Sequence, residues 1–296
     1  MVRCLESIIK QDYKNVEVII SDDSPGEDIK QAILPYQETL NIKYFHNSPA
    51  LQSPKNWNAA LDMATGDLLL LLHHDDWFHS NKALTLFGNA FDQENIDFVF
   101  SQNTAIDENG NKLILQGLPA LLRELADKPD HLLLAQVIGP PSNTMLKKTI
   151  NIRYDERFIW LVDVDYYSRI LKAGYKYKYI EKHLVSIGLH EDQTTVFVQN
   201  NKDIIFKENI WFAEKSGSKI FADILIYDYY WRLLRNYGIR DIADIQAKNV
   251  KINEIPAVIE QMLNFQRKIP LTVLRLGVFS KSFMGISYLI WKIKSR

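Results

Sequence analysis

The chain has 296 residues, of which 47% are hydrophobic and 24% are charged, and this balance excludes a largely disordered protein. The formal net charge of −1 argues against a nucleic-acid-binding protein, because such proteins usually carry a basic surface. A single cysteine, Cys4, excludes an intramolecular disulfide and a metal site built from several thiolates. A chain with so little cysteine fits a cytoplasmic location best.

The first two-thirds of the chain alternate short apolar runs with helical patterns. Strands are predicted at 16–20, 42–45, 67–72 and 97–101, and helices at 28–39, 55–64 and 80–92. This alternation predicts an α/β domain with a mostly parallel sheet flanked by helices. The run at 67–72 contains five leucines after Gly66, which is typical of a central strand buried on both faces.

Further along the chain, Asn109-Gly110 predicts a hairpin, and a predicted helix at 163–173 ends at Gly174. From about residue 199 onward, long helical patterns replace the alternation. We therefore expect an α/β domain over residues 1–196 and a helical region over 197–296. The chain opens inside a helical pattern, whereas doubly wound domains normally open with a strand, so the first domain is expected to be incomplete at its N-terminus.

Two histidines and two aspartates, residues 73–76, follow the leucine run and precede Trp77. Ligands of open α/β sheets bind beyond the carboxyl ends of the strands. Asp75 and Asp76 are adjacent anions, and a divalent cation relieves their repulsion; their oxygens suit Mg²⁺ or Mn²⁺. The alternative is that one of the two aspartates caps a helix that begins near Ser80.

A second pair of carboxylates, Asp22 and Asp23, follows the predicted strand at 16–20. A carboxylate can accept a hydrogen bond from the imide N–H of a nucleobase. The alternative is a turn or a helix cap, which the following Ser24, Pro25 and Gly26 would also favour.

The order of these segments resembles family 2 glycosyltransferases of the GT-A fold. Residues 7–24 resemble the opening helix of that family and the strand that ends in Asp-Asp. Residues 56–77 resemble its Asn-rich helix, its Ala-x-Gly-Asp turn and its Asp-x-Asp-Asp metal motif. Residues 161–174 resemble the helix that carries the catalytic base, and 190–195 resemble the motif that closes the catalytic domain. The resemblance covers about residues 1–196.

This resemblance implies an inverting enzyme that moves a sugar from a nucleotide-diphosphate sugar, usually of UDP type, to a hydroxyl acceptor with the help of Mn²⁺ or Mg²⁺. Asp23 matches the carboxylate that recognises the base, with Asp22 beside it. Asp75 matches the aspartate that binds the metal, and Asp163 matches the general base. Without the resemblance, Asp163 is better interpreted as the N-cap of the helix that follows it.

The resemblance also assigns residues around these aspartates. Asn58 matches an asparagine on the nucleotide side, and Lys55, one turn earlier, lies within reach of a phosphate. Asp76 joins Asp75 at the metal, and His190 approaches the metal or the diphosphate. The sequence departs from the family at His73, where the first Asp of the metal motif usually stands, and at Val162, where a Glu commonly precedes the base.

The acceptor side is expected around Ser142 and Asn143, in a Gly-Pro-Pro turn that the family often uses there. The alternative is a loop that only re-enters the sheet. Trp77, with Trp160 and Tyr166, offers an aromatic face for a sugar, although aromatic residues at such positions usually belong to the core.

The last 36 residues, 261–296, contain seven Lys or Arg residues and no Asp or Glu. Apolar residues recur there at helical spacing: Phe279, Phe283, Ile286, Ile290 and Ile293. One interpretation is a basic amphipathic helix on the inner face of a membrane, which also fits a lipid-linked acceptor in surface-polysaccharide synthesis. The other is a helix that packs on the domain with its lysines in water.

Two other classes of function compete with the glycosyltransferase. A metal-dependent phosphohydrolase would use His73, His74, Asp75 and Asp76 as ligands. A catalytically inactive, glycosyltransferase-like scaffold would fit a domain that lacks its first strand.

Overall fold

The computed structural model describes residues 1–93, 95–114, 119–191 and 193–294. The chain forms two compact units, Met1–Gln193 and Thr194–Arg296, which are called unit 1 and unit 2 below. The sequence predicts the boundary after residue 196, close to this division.

Unit 1 combines helices and strands in alternation. In chain order they are α1 (Val2–Ile9), β1 (Glu17–Asp22), α2 (Asp28–Ile33), β2 (Asn41–His46), α3 (Lys55–Met63), β3 (Leu68–Leu69), β4 (Trp77–Phe78), α4 (Ala83–Gly88), β5 (Phe98–Ile106), β6 (Lys112–Ile114), α5 (Pro119–Glu124), β7 (Thr144–Lys147), α6 (Val162–Lys172) and β8 (Tyr177–Gly188). Short 3-10 helices lie at Leu34–Tyr36, Pro129–Leu133 and Pro141–Asn143.

The strands of unit 1 form two sheets. β1 and β2 pair in parallel and form one of them. The larger sheet has the order β3-β7-β5-β8-β4, with β6 paired to β5. In it β5 and β8 are parallel, and the other four pairs are antiparallel. The predicted parallel pairing therefore holds for β1–β2 and β5–β8, while the larger sheet is mixed, because strands joined by hairpins or loops can return antiparallel.

The five-leucine run does not form the predicted central strand. Only Leu68 and Leu69 are paired, and only with β7, so β3 lies at the edge of the larger sheet. Leu70 and Leu72 pack against the apolar cluster that contains Phe87. An apolar run predicts burial, and burial against helices produces the same pattern as burial in a sheet.

Two turns have the predicted glycine geometry. β5 and β6 form the hairpin at Asn109-Gly110, where Gly110 has φ +80°. The Asp107 carboxylate accepts the N–H groups of Asn109 and Asn111 and closes this turn. Helix α6 ends just before Gly174, which has φ +85°, a conformation that L side chains rarely adopt.

Unit 2 is helical in every element described. Its helices are α7 (Thr194–Gln199), α8 (Lys202–Ser216), α9 (Ile224–Asn236), α10 (Ile242–Gln246), α11 (Ala257–Gln266), α12 (Leu271–Leu274) and α13 (Gly277–Lys294), with 3-10 helices at Ser218–Ala222 and Ile252–Glu254. Large aromatic side chains fill its core: Phe206, Phe212, Phe221, Tyr227, Tyr230 and Trp231. Within the described ranges, no helix combines the length and the apolarity that crossing a membrane requires.

Candidate active site

Asp22 is the last residue of β1, and its carboxylate closes a turn. The Ser24 N–H donates to Oδ1 of Asp22 at 2.8 Å, and the Tyr44 hydroxyl of β2 donates to Oδ2 at 2.8 Å. Burial opposes ionisation of Asp22, but these hydrogen bonds outweigh burial and hold the pKa of Asp22 below its usual range. Asp22 is therefore an anion at the end of β1. Its carboxylate closes a turn, which is one of the alternatives given above for Asp22 and Asp23.

The Asp23 carboxylate holds the loop that runs from β2 to α3. The N–H groups of Leu51 and Gln52 donate to its two oxygens at 3.0 and 2.7 Å, and Asn47 Nδ2 donates at 2.9 Å. Asn47 Nδ2 also donates to Oδ1 of Asn56 in the first turn of α3, at 3.1 Å. Asp23 thus fixes the path of this loop past the end of β1.

The two residues of α3 that were assigned to the nucleotide side have different environments. Lys55 is exposed and forms no ion pair with the residues that the structure describes. Asn58 is buried; its Nδ2 donates to the Tyr154 carbonyl at 2.9 Å, and its Oδ1 accepts the Tyr154 N–H at 2.9 Å. The prediction that Asn58 contacts the nucleotide is corrected, because its amide is committed to the Tyr154 backbone and anchors α3.

His73, Asp75 and Asp76 lie together in the turn that follows the leucine run. Each offers one ligand atom, and these atoms lie within 4.8 Å of one another. The Asp76 N–H donates to the His73 carbonyl at 3.1 Å and closes the turn. The Trp57 ring of α3 lies 5.0 Å from the His73 ring, so this turn contacts the helix that carries Lys55.

Neither aspartate caps the next helix, so the helix-cap interpretation of this turn is wrong. Helix α4 begins at Ala83 with Lys82 at its N-cap. Asp75 instead pairs with His190, whose Nε2 lies 2.9 Å from Oδ2 of Asp75. Burial would raise the pKa of Asp75, but this hydrogen bond and the nearby imidazoles hold the pKa below its usual range.

Asp76 is the more buried of the two carboxylates, with 2% of its surface exposed. Burial raises the pKa of Asp76 to about 7, and the charge of Asp75 adds to this effect. Hydrogen bonds from the Ser142 hydroxyl and from the Gly188 N–H, at 3.1 Å from Oδ1, oppose the rise. A positive charge beside Asp76 would favour its carboxylate form.

The turn fits a divalent cation on the chemistry of its donors. Nε2 of His73 is buried and finds no hydrogen-bond partner in the described part of the chain. Burial lowers the pKa of His73, so its ring is neutral and keeps a lone pair for a cation. Asp75 and Asp76 supply carboxylate oxygens beside it. His74, by contrast, is exposed and outside this group.

Asp163 lies in the first turn of α6 and accepts two hydrogen bonds. Gln136 Nε2 donates to Oδ2 at 2.9 Å, and the Val164 N–H donates to Oδ1 at 2.8 Å. Burial raises the pKa of Asp163 above its usual range, although both hydrogen bonds favour the carboxylate. The N-cap of α6 is Leu161, so the interpretation of Asp163 as a helix cap is wrong.

Gln136 connects Asp163 to the segment that leads to the His73 turn. Its Oε1 accepts the N–H groups of Ile138 and Gly139, and its Nε2 donates to the Gly139 carbonyl as well as to Asp163. Gly139 has φ +91°, and a Cβ there would collide with the Asn143 side chain. Only glycine therefore fits this turn.

Ser142, in the same segment, contacts the turn that contains His73, Asp75 and Asp76. The Ser142 hydroxyl accepts the His73 N–H at 3.0 Å and hydrogen-bonds to Asp76. Residues 136–142 therefore connect Asp163, at one end, with His73 and Asp76, at the other.

Two predicted acceptor contacts are corrected by their burial. Ser142 and Asn143 are 0% and 1% exposed, so neither lies at a surface that a glycan could reach. Asn143 Nδ2 donates to the carbonyls of Ser101 and Ile138, at 3.1 and 3.0 Å. Both side chains therefore form internal hydrogen bonds that stabilise this turn. This agrees with the alternative of a loop that re-enters the sheet.

The aromatic residues also divide between core and surface. Tyr166 is fully buried and stacks on Tyr154 with ring centroids 3.9 Å apart, so the prediction that it stacks on a sugar is wrong. Trp77 is half-buried in β4, and the Arg3 guanidinium lies 4.4 Å above its ring. Trp160 is half-buried.

The sequence did not identify three residues that shape the site: Gln136, Trp57 and Asn47. Gln136 bonds to a residue 27 positions away, and Asn47 to one 24 positions away. Side-chain contacts over such distances leave no periodic pattern. The one available signal was position, since Gln136 lies three residues before the Gly-Pro-Pro turn that begins at Gly139.

Comparison with known proteins places these features in a family. Residues 1–171, more than half of the chain, match the model of glycosyl transferase family 2. The chain is 27% identical over 278 residues to the GalNAc(5)-diNAcBac-PP-undecaprenol beta-1,3-glucosyltransferase of Campylobacter jejuni, with 88% of each chain covered. It is 28% identical over 244 residues to the amylovoran biosynthesis glycosyltransferase AmsB of Erwinia amylovora, with 79% of each chain covered.

Solved structures share the fold. TarS 1–349 of S. aureus in complex with UDP matches with a TM-score of 0.53 at 16% identity, covering 97% of this chain and 84% of that one. The mannosyltransferase PcManGT from Pyrobaculum calidifontis, in complex with GDP-Man and Mn²⁺, matches with a TM-score of 0.50 at 13% identity, covering 69% and 57%. None of these findings supports a phosphohydrolase. The chain belongs to glycosyl transferase family 2 and is a glycosyltransferase with the GT-A fold.

Proposed function

We propose that this glycosyltransferase moves a sugar from a UDP-type donor to a hydroxyl of a lipid-linked glycan, with inversion, during surface-polysaccharide synthesis at the inner face of the membrane. The C. jejuni relative is named for a PP-undecaprenol acceptor. WfgD of Escherichia coli, 28% identical over 105 residues, is named for UDP-Glc and a diphosphoundecaprenol acceptor. These names support the donor and acceptor classes.

The donor side of the proposal uses Asp22, Asp23 and Lys55. Asp23 is held against backbone N–H groups of the loop and presents a carboxylate that can accept the imide N–H of uracil. Asp22, at the end of β1, precedes it in the chain and adds a second negative charge on this side. Lys55 is exposed on the same loop–helix junction, and its ammonium can pair with a phosphate, since phosphate recognition commonly uses such point charges.

The metal side uses His73, Asp75 and Asp76, with His190 orienting the Asp75 carboxylate through their hydrogen bond. A mixed set of imidazole and carboxylate donors favours Mn²⁺ over Mg²⁺, because imidazole suits transition metals better. When bound, the cation acts as a Lewis acid that stabilises negative charge on the leaving diphosphate.

Asp163 is the proposed general base. As the acceptor oxygen forms its bond to the anomeric carbon, its proton passes to the Asp163 carboxylate, and the bond to the diphosphate breaks. A pKa above that of an ordinary Asp makes this carboxylate a better proton acceptor at neutral pH. The observation that carries the proposal is the connection of Asp163 to the His73–Asp76 turn through residues 136–142.

The test compares Asp163→Asn with the wild type in transfer from UDP-sugars to an undecaprenol-diphosphate-linked acceptor, followed by mass spectrometry. Loss of the base should lower turnover by roughly 10²–10⁴-fold with little change in UDP affinity. Asp62→Asn is the control, because Asp62 is an exposed carboxylate on α3 whose ion pair with Arg153 should contribute little. Full turnover in Asp163→Asn would remove this residue from the mechanism.

A second readout separates the glycosyltransferase from its alternatives. The proposed enzyme forms a glycosidic product only when the acceptor is present. Release of inorganic phosphate without acceptor would favour a phosphohydrolase, and failure to bind any nucleotide sugar in a thermal-shift screen with Mn²⁺ would favour the inactive scaffold.

A further inference from the structure

One side of helix α13 packs against the other helices of unit 2. The residues on that side are Ser280, Met284, Ser287 and Tyr288, all buried. Trp231 Nε1 of α9 donates to the Ser280 hydroxyl at 3.1 Å, and the Tyr227 hydroxyl lies 2.8 Å from that of Ser287. These contacts to buried serines fix the rotation of the helix about its axis.

The opposite side of α13 is apolar and exposed. Its members and their exposed fractions are Val278 (81%), Phe279 (57%), Ile286 (50%), Leu289 (59%), Ile290 (36%) and Ile293 (75%). At 3.6 residues per turn these side chains share an arc of about 120°, and the arc faces away from the buried serines. Only Ser282 interrupts it with a polar group. We call these six residues the outer face of α13.

Lysines flank the outer face on both edges. Lys281 and Lys292 lie along one edge and Lys294 along the other, and all three are exposed. No acidic residue occurs anywhere from 261 to 296. Long lysine side chains can lie along an apolar surface and place their ammonium groups at its rim.

The apolar arc with lysines along both edges favours one of two possible partners for the outer face. A second copy of the chain, packed face to face, would bring lysines of the same sign together along both edges. An anionic bilayer offers acyl chains to the apolar arc and phosphates to the lysines at the same time. The helix has 18 residues and does not meet the requirements for crossing a membrane, which fits a helix lying in the plane of the interface.

We propose that the outer face of α13 docks on an anionic lipid surface, with the helix axis parallel to the membrane. The inference deepens the proposed function, because a lipid-linked acceptor is presented at such a surface. Vesicle binding requires neither donor nor catalysis, so it can fail or succeed independently of the transfer reaction.

The experiment measures co-sedimentation of the full chain with vesicles of phosphatidylcholine and phosphatidylglycerol, and with vesicles of phosphatidylcholine alone. We expect binding to the anionic vesicles that weakens when salt rises from about 0.1 to about 1 M, as the Debye length falls from about 10 to about 3 Å. The Ile286→Glu, Leu289→Glu double variant should lower the partition coefficient by about tenfold or more. Lys281→Gln with Lys294→Gln should lower it on the order of 30-fold, since each lysine near the surface contributes roughly fivefold.

Ile252→Glu is the matched control, because Ile252 is 60% exposed in unit 2 but lies outside the outer face. It should bind vesicles like the wild type, and circular dichroism should show that all variants are folded. Equal binding by the Ile286/Leu289 variant and the wild type would overturn the proposal. So would a stable dimer of the wild type that ignores vesicles and that the same substitutions dissociate.

Discussion

Gln136 donates one hydrogen bond that favours the charged form of Asp163. The orientation of its amide is fixed because Oε1 accepts two backbone N–H groups, which leaves Nε2 to face Asp163. A donor of this kind favours the carboxylate, whereas burial favours the neutral acid. Under the proposed function, the balance between the two sets the pH above which Asp163 can act as a base.

We predict that Gln136→Leu moves the acid limb of the turnover profile to higher pH. Removal of the donor leaves the burial of Asp163 in place, so the pKa of Asp163 rises further. Under the proposed function Asp163 must be ionised to accept a proton. As the pH falls, the variant therefore loses activity at a higher pH than the wild type does. The measurement is kcat against pH under saturating donor and acceptor.

At a pH well above both limbs, Asp163 is ionised in both proteins, and the variant should recover most of the wild-type turnover. A purely structural role for Gln136 gives a different result: turnover falls by the same factor at every pH, and the midpoint stays in place. That outcome would show that Gln136 does not position the charge of Asp163.

At the level of single residues, the sequence grouped two charged residues that lie close together, but it did not identify the partner of a buried amide; the metal role of the charged pair stays a prediction. Asp75 and His190 were both assigned to the metal side, and they lie 2.9 Å apart. Asn58 was assigned to the nucleotide, yet both its polar atoms bond to a backbone 96 residues away. A local pattern carries the chemistry of a side chain but not the identity of a distant partner.

Helix α3 separates an anchoring residue from an accessible one, and this contrast is testable. We predict that Asn58→Ala lowers the free energy of unfolding by about 2–4 kcal/mol, because it leaves the buried N–H and carbonyl of Tyr154 without their partners. The measurement is equilibrium urea denaturation. Lys55→Ala on the same helix is the control; Lys55 is exposed, so stability should change by less than about 0.5 kcal/mol.

The order of the two variants should reverse in donor binding, where Lys55→Ala should have the larger effect. Under the proposed function Lys55→Ala weakens the affinity for UDP, since it removes a cation from the donor side. An unfolding free energy of Asn58→Ala equal to that of the wild type would show that the contact with Tyr154 does not anchor α3.

Helices and strands could be predicted where the local sequence pattern determines them. They could not be predicted where pairing with a distant strand determines them. The strand predicted at 42–45 corresponds to β2, and the helix predicted at 163–173 corresponds to α6. The leucine run failed as a central strand because its neighbours are set by β7, almost 80 residues later, and by helix packing. Strand order depends on contacts between segments, so composition alone does not determine it.

On the scale of the whole molecule, the proposed ligand sites belong to unit 1 and the outer face of α13 belongs to unit 2. Asp23, Lys55, Asp75 and Asp163 all precede the division after Gln193. Ligands of the donor site should therefore stabilise unit 1 directly, since a ligand that binds only the folded state raises its stability.

We predict that UDP with Mn²⁺ protects backbone amides of unit 1 from hydrogen exchange, chiefly in residues 47–57 and 73–76. Those segments contain the loop held by Asp23 and the turn of His73, Asp75 and Asp76. At a ligand concentration 100 times its dissociation constant, the stabilisation should reach about 2.7 kcal/mol. Exchange in α13 should be unchanged in the absence of vesicles. The measurement is hydrogen–deuterium exchange with mass spectrometry on the full chain, with and without EDTA.

Two comparisons make this prediction specific. EDTA should abolish the protection of residues 73–76 more completely than that of residues 47–57, because under the proposed function the first segment holds the cation and the second contacts the nucleotide. Asp75→Asn should reproduce the effect of EDTA, whereas Asp62→Asn, an exposed carboxylate on α3, should not. Protection that is confined to unit 2, or that persists unchanged in Asp75→Asn with EDTA, would place the nucleotide and the cation elsewhere. The assignment of the donor site to the ends of β1 and of the leucine run would then be wrong.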